Sequence, residues 1–277
     1  MSVETPTQKK RKVMGAAPSS DSNESLSKES PVPSVPLEIL EEIFHNLPYD
    51  QVIRRCRLVC KQWREVSDSE SLWRERCRRE RLLPRDVTRT PDDWREYYVL
   101  CRKRRNLLKN PRAEHNFRYW QIVSNGGDRW TIEDPKVPHP NEKVQKNFVT
   151  SFEMCLKSQD IDLKREGYNA SFMDWYQPPI RISDWYAARH DCACEYKIKV
   201  ELLNEKKKCL QKFEPEMIRF EQWSNQQWHQ MSHIFTNYGP GVRYVRFVHG
   251  GQDRQYWKGW YGVRVTDSCV EVCPEVE

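Results

Sequence analysis

Tyr196-Lys197-Ile198-Lys199-Val200-Glu201-Leu202 alternates large apolar side chains with charged ones over seven residues. Successive side chains of a strand point to opposite faces, so this period of two predicts a half-buried β-strand with Tyr196, Ile198, Val200 and Leu202 turned to a core. Tyr261, Val263 and Val265 alternate in the same way around Gly262 and Arg264, and Phe148, Thr150 and Phe152 form a shorter example. Apolar runs at Tyr119 to Val123, Ile180 to Trp185, Val242 to Val248 and Cys269 to Val272 extend the series, with turn residues between them. No internal repeat and no helix-strand alternation competes, so everything after Pro111 is predicted to form an antiparallel sandwich.

Upstream the period changes. Pro36 suits the first turn of a helix, where its missing N–H has no partner to lose. Leu37, Leu40, Ile43, Phe44 and Leu47 follow at helical spacing, and Pro48 closes the stripe. A second helix is predicted from Val52, Cys56, Val59, Cys60 and Trp63, which sit at offsets of four, seven, eight and eleven. Two helices this short cannot bury both stripes between them, so apolar surface should remain for a partner. Thr90-Pro91-Asp92-Asp93 reads as a third helix start, with Thr90 as the cap, Trp94, Tyr97, Tyr98 and Cys101 on one face, and an end by Asn110-Pro111. That helix is expected to act as a stiff spacer.

Composition limits what such a chain can be. The 277 residues include 11 Trp, 12 Tyr and 9 Phe, more large apolar side chains than a disordered chain carries. Residues 1–33 are the exception, being rich in Ser, Pro, Glu and Lys, and they read as a disordered tail. Within it Gln8 to Val13, QKKRKV, reads either as a solvated run or as a basic nuclear-import signal. No stretch reaches the roughly 20 apolar residues of a membrane span, and no secretory signal is visible, so a cytoplasmic protein with a possible nuclear fraction is expected. The ten cysteines should then be reduced, and their spacings make no zinc ligand set. Net charge is +6, and Arg74 to Arg112 alone carries fourteen Lys or Arg against six Asp or Glu, a surplus of 8. With no nucleic-acid motif beside it, this stretch reads as a solvated basic face or one meeting an acidic partner, and no nucleic-acid partner is expected.

PLEILEEIFHNLP followed by CRLVCKQWREVSDSESLWRERC resembles the F-box, the helical module that docks on the Skp-type adaptor of cullin ubiquitin ligases. The resemblance implies that Pro36, Leu37, Leu40, Ile43, Leu47, Pro48, Leu58, Val59 and Trp63 form the adaptor interface or the small core beneath it. The usual opening Leu-Pro is here Val35-Pro36. NFRYWQIVSNGGDRW, FVTSFEMCLKSQDIDL, ISDWYAARHDCAC, YGPGVRYVRFVHGGQD and YWKGWYGVRVT together resemble the F-box-associated domain of the sugar-recognising F-box proteins. What this implies is an α+β multidomain chain: F-box over 34–80, helical linker over 81–113, and a jelly-roll-like antiparallel β-sandwich over 114–277.

In that family the loops at one end of the sandwich bind the chitobiose core of high-mannose N-glycans, marking misfolded glycoproteins for ubiquitylation. Carried over residue by residue, the sugar site falls on Phe152, Asp191, Tyr256, Trp257 and Lys258. The chain departs from the family after Tyr168, where Asn169-Ala170-Ser171-Phe172 replaces a segment usually rich in Trp and acids. Partners implied are the Skp-type adaptor, the cullin scaffold and N-glycosylated clients.

The residues themselves leave alternatives. By pattern alone Trp257 reads as core and Trp260 as buried support, Gly250-Gly251 as a turn, and His190 and His249 as turn residues without chemistry. Asn169-Ala170-Ser171 matches a glycosylation acceptor that should stay unmodified without a secretory signal. No nucleophile with a base, no phosphate-binding loop and no cofactor motif stands out. A hydrolase using scattered carboxylates such as Asp191 and Asp253 remains open, as does an F-box receptor of the same fold that has lost sugar binding and reads a protein surface.

Overall fold

The computed structural model describes residues 35–84 and 90–273. The tail with its basic run therefore lies outside the described residues, as do residues 85–89 of the linker and 274–277.

Helix α1, Leu37–Asn46, follows Pro36 and buries Leu40 and Phe44 completely. The second predicted helix is divided. Helix α2, Tyr49–Arg54, a 3-10 turn at Cys56–Leu58 and helix α3, Lys61–Ser67, replace it. The break turns Leu58 and Val59 outward at 72% and 61% exposure, where a continuous helix would have kept Val59 on the Val52 and Cys56 stripe. Helix α4, Glu70–Arg79, is capped by the Ser69 hydroxyl and presents Trp73 to the core. From α4, Arg76 bonds the backbone carbonyls of Phe44 and Leu47, satisfying the open C-terminal end of α1.

Helix α5, Trp94–Arg102, is shorter than expected at both ends. Its cap is the Asp93 carboxylate, which accepts the Glu96 N–H at 2.8 Å, and not Thr90. Tyr98 packs on Trp73 of α4 with ring centroids 5.4 Å apart. Tyr97, one residue earlier, meets Tyr176 and Phe172 at 5.1 and 6.1 Å. One helix thus touches the preceding helices with one side and the β region with the other. After Arg102 the chain does not continue as helix; it lies along the sandwich, where the Leu107 N–H bonds the Val270 carbonyl at 2.8 Å.

Eleven strands follow among the described residues: β1 Gln121–Asn125, β2 Thr131–Glu133, β3 Asn147–Val149, β4 Cys155–Asp162, β5 Ile180–Ala187, β6 Cys194–Leu203, β7 Cys209–Phe213, β8 Ile218–Phe220, β9 His229–Phe235, β10 Tyr244–Asp253 and β11 Arg264–Val272. A short helix α6, Ala170–Trp175, separates β4 from β5. One sheet runs β1-β4-β10-β6-β7, with β8 also on β6, and the other runs β2-β3-β11-β5-β9. All pairings are antiparallel. The fold is the expected antiparallel β-sandwich behind a small helical region. On β6, Tyr196, Ile198, Val200 and Leu202 are each at most 1% exposed, as the alternation predicts.

Several expectations for this half change. Gly250 and Gly251 are not a turn but continue β10, which runs on to Asp253. A Cβ at Gly251 would stand 1.8 Å from the Glu195 carbonyl oxygen, and one at Gly250 2.0 Å from that of Cys155, so glycine is needed for close approach of neighbouring strands. Phe152 lies in the loop after β3, not in a strand. Arg264, expected on the solvent side, is 3% exposed and bonds Glu133 at 2.7 Å. A register shift in β11 between Thr266 and Cys269 explains why the Val263, Val265 phase does not run on to Val270 and Val272.

The sandwich core is partly polar. His249 of β10 is wholly buried, contrary to its expected place in a turn. Its Nδ1 meets Asp184 of β5 and its Nε2 meets Lys157 of β4. Tyr196 and Ser268 donate to the same Asp184 carboxylate at 2.6 and 2.7 Å. The Lys157 amine lies 3.2 Å from the centre of the Trp120 ring, which also stacks on His249. Each sheet supplies members, so the cluster ties the two layers together through satisfied buried groups.

Candidate functional site

The ten residues from Arg254 to Val263 join β10 to β11 at one end of the sandwich. Their backbone is fastened from below. The Asp253 carboxylate accepts the Tyr256 N–H at 2.6 Å, and the Asp253 N–H reaches the Ser151 carbonyl at 2.9 Å. The Arg254 N–H bonds Ala193, and the Gly262 N–H bonds Thr150. The Ser151 hydroxyl donates to the Gly259 carbonyl at 2.6 Å and accepts the Asp128 N–H at 2.9 Å. Three other loops, β1–β2, β3–β4 and β5–β6, are thereby drawn to the same end.

On this footing the side chains stay out in solvent. Tyr256 is 69% exposed, Trp257 39% and Trp260 43%, and Lys258 is exposed beside them. Trp257 is therefore not core, and Trp260, expected as buried support, is also open, with its indole N–H held by the Arg129 carbonyl at 3.1 Å. An exposed aromatic cluster on a pinned backbone is a binding surface more than a packing element.

Behind Trp257 stands a chain of contacts. Its ring meets Tyr261 edge-on at 5.5 Å, the Arg189 guanidinium lies 4.2 Å from the centre of the Tyr261 ring, and Arg189 bonds Asp191 at 2.6 Å. Burial alone would raise the Asp191 carboxyl, but the Arg189 guanidinium holds it below the usual carboxylate range. Asp191 is thus a fixed, charged acceptor. Phe152 comes up from the β3–β4 loop, its ring 3.0 Å from where a Gly127 Cβ would stand. All five residues singled out in the sequence, Phe152, Asp191, Tyr256, Trp257 and Lys258, lie on loops at this one end. Arg189 was not foreseen, and Tyr261, expected as a strand residue, lies in the loop before β11. Their role beside Trp257 leaves no mark in the sequence, because they connect Trp257 to Asp191 only once the two loops are side by side.

Of the two carboxylates weighed as a hydrolytic pair, Asp253 is shut away from any ligand. Its carboxyl is pushed up by burial while the N–H groups of Tyr256, Gln255 and Trp257 pull it the other way. The Cys192 thiol beside this loop is pushed up to about 11 by burial and by the Asp253 charge, which leaves it unreactive. Among the described residues no group of three or more His, Cys, Asp or Glu is placed to hold a metal ion.

The segment Asn169 to Phe172 lies at the opposite end. Asn169 caps α6 by accepting the Phe172 N–H at 2.7 Å and donates to Glu96 of α5 at 2.7 Å. Strand β4, eight residues long, runs between the two ends. At about 3.3 Å per residue it spans roughly 26 Å. The departure from the family pattern therefore concerns the contact with α5, not the aromatic loop.

A second surface lies on the helical region. Leu37, Ile39, Ile43, Leu58 and Val59 are 54%, 55%, 42%, 72% and 61% exposed, with Pro36 and Pro48 also in solvent. Leu40 is fully buried, Leu47 is half-buried, and Trp63 is half-buried against Phe44 at 5.2 Å. The expected adaptor set thus divides into an open apolar face and its support, and Ile39 joins the face. No helix among the described residues is long and apolar enough to cross a membrane.

Residues 98–272 match the F-box associated region, and residues 32–79 match the F-box-like family. F-box only protein 6 of Mus musculus is 48% identical over 240 residues, covering 85% of this chain and 81% of the relative. Human F-box only protein 44 is 44% identical over 244 residues, covering 87% and 96%. F-box only protein 2 of Bos taurus is 42% identical over 248 residues, covering 87% and 83%. Among solved structures, a carbohydrate-binding module in complex with β-1,4-galactotriose covers 60% of this chain and 97% of its own at 13% identity, with a TM-score of 0.37 that carries no argument about function. A match over most of the sandwich together with relatives above 40% identity along four-fifths or more of their length settles descent: the chain belongs to the F-box proteins that carry an F-box-associated region.

Proposed function

We propose that the chain is the substrate-recognition subunit of a cullin-type ubiquitin ligase, binding the chitobiose core of high-mannose N-glycans on misfolded glycoproteins and delivering them for ubiquitylation and ER-associated degradation. The observation that carries this reading is the half-exposed Trp257, backed by Tyr261 and Arg189, with a fixed acceptor at Asp191 and a cation at Lys258. A pyranose has one apolar face of C–H groups and a rim of hydroxyls, so it needs a flat aromatic surface and a few oriented polar groups. Trp257 and Phe152 supply the surface, Lys258 donates, and Asp191 accepts. With each hydrogen bond contributing about 1 kcal/mol net, affinities fall between millimolar and micromolar, and firm capture needs several glycans or added protein contacts.

At the other end, the apolar face of Leu37, Ile43, Leu58 and Val59 suits a Skp-type adaptor. The chain does no chemistry in this scheme; it raises the concentration of client lysines around the charged carrier. Such a receptor would work in the cytosol.

The test pairs the two surfaces in one pull-down. Trp257→Ala should lose binding to immobilised high-mannose glycan at least tenfold and keep the adaptor. Ile43→Asp with Leu58→Asp should do the reverse. Leu40 is unsuitable for this purpose, because it is fully buried and its loss would disturb the helical core. A folded wild type that binds no N-glycan would sink the sugar reading in favour of a protein surface.

A further inference from the structure

Trp223 lies between β8 and β9, 66% exposed, with its backbone in the left-handed region at φ 66°. For a bulky residue that conformation is strained, and such strain is kept where the surroundings enforce it. The surroundings here are the loop that carries Asp191. The Trp223 N–H donates to the His190 carbonyl at 2.8 Å, and His190 Nδ1 donates to the Ser224 carbonyl at 2.9 Å. The Gln222 amide reaches the Asp191 carbonyl at 3.0 Å, and the His190 ring meets Trp223 edge-on at 5.5 Å. On the other side Arg254, two residues before Tyr256, bonds Glu221 at 2.9 Å.

A tryptophan two-thirds in water gives little to the core, yet its backbone is held by the loop that bears Asp191, and its neighbour Glu221 is paired with Arg254 at the start of the loop that bears Trp257. We propose that Trp223 is a second aromatic platform, stacking on a pyranose of the mannose arms while the Trp257 loop holds the chitobiose core. The inference rests on the glycan-binding reading and deepens it. It makes the site longer than the chitobiose unit, since the Asp191 loop is bonded to the Trp223 loop through Gln222 and packs on Tyr261 of the Trp257 loop through Arg189. Because Trp223 is positioned without touching Trp257, its contribution should depend on the length of the sugar.

The test titrates wild type, Trp223→Ala, Trp223→Phe and Trp223→Gly with N,N′-diacetylchitobiose and with a free high-mannose glycan containing the same core. Glycine takes the left-handed backbone at no steric cost, so that variant keeps the measurement possible if alanine disturbs the loop. An aromatic contact of this kind is expected to change affinity by about three- to tenfold. Trp223→Ala and Trp223→Gly should therefore weaken high-mannose binding by that factor and leave chitobiose within about twofold, with Trp223→Phe close to wild type. Equal losses on both sugars would overturn the proposal by showing that the residue acts through Asp191. No loss on either sugar, with wild type binding both, would overturn it alone. Failure of the wild type to bind either sugar would overturn the parent reading and this one with it.

Discussion

The centre of the sandwich and its aromatic end use the same kinds of side chain to opposite effect. In the centre Lys157, Asp184, Tyr196 and His249 are shut from water, and each polar group has a partner in the protein. At the end Tyr256, Trp257, Lys258 and Trp260 are open, and what holds the loop is mainly its backbone, with the Trp260 indole N–H as the side-chain exception. Where side chains satisfy one another they fix the fold; where the backbone carries most of the fastening they stay available to a ligand. Substitutions in the first region should therefore be read out in stability, and those in the second in binding.

The strongest way to break this contrast is to empty the centre. Asp184→Ala strands the His249 Nδ1–H, the Tyr196 hydroxyl and the Ser268 hydroxyl in a dry core. Removing one member of a buried charged set costs about 3–5 kcal/mol. Urea unfolding of the variant should show a loss of that size. A loss below about 1 kcal/mol would mean that the cluster does not join the sheets.

A smaller effect follows from pH. Burial pushes the His249 imidazole down to about 4, the Lys157 charge adds to this, and Asp184 pulls the other way. Neutral at ordinary pH, the ring carries its proton on Nδ1 toward the carboxylate and leaves Nε2 to accept from Lys157. An unfolded histidine takes up a proton near pH 6.5, so the unfolded chain binds more protons than the folded one between about 6.5 and 4. The His249 contribution is full above that window and is lost as pH falls through it. Burial pushes the Lys157 amine down as well, and a slope from that group extends to higher pH. Comparing melting temperatures of wild type and His249→Gln from pH 7 to 4 isolates the imidazole. The wild type should fall more steeply, and parallel curves would reject the assignment.

Much of the architecture could be read before the coordinates. The strand at Tyr196 to Leu202 and helix α1 announce themselves because one face is buried and the other is not. Strand β9 escaped notice because it has an exposed side and reads His229-Gln230-Met231-Ser232-His233-Ile234-Phe235, too polar to mark a strand. Gly250-Gly251 misled for a physical reason, since glycine serves close strand approach as readily as it serves a turn. Of the candidate site, Tyr256 to Lys258 stood out as an aromatic run. Arg189, Tyr261 and Trp223 did not, because their meaning lies in contacts between loops far apart in sequence.

Tyr256 tests the contrast at its finest. Like Trp223 it is an aromatic residue in the left-handed region, with φ 56°, and at 69% exposure it has little packing to lose. Tyr256→Gly removes the steric cost of that backbone, on the order of 1–2 kcal/mol, and adds roughly 0.5–1 kcal/mol of entropy to the unfolded chain. The two nearly cancel, so the variant should melt within about 1 kcal/mol of wild type or slightly above it. Its affinity for chitobiose should fall all the same, because the sugar loses a flat neighbour beside Trp257. A variant that unfolds easily would place Tyr256 with the sealed centre. One that is stable and binds less tightly would show that this end keeps strain in exchange for an exposed ring, which is the trade a recognition loop makes and a core does not.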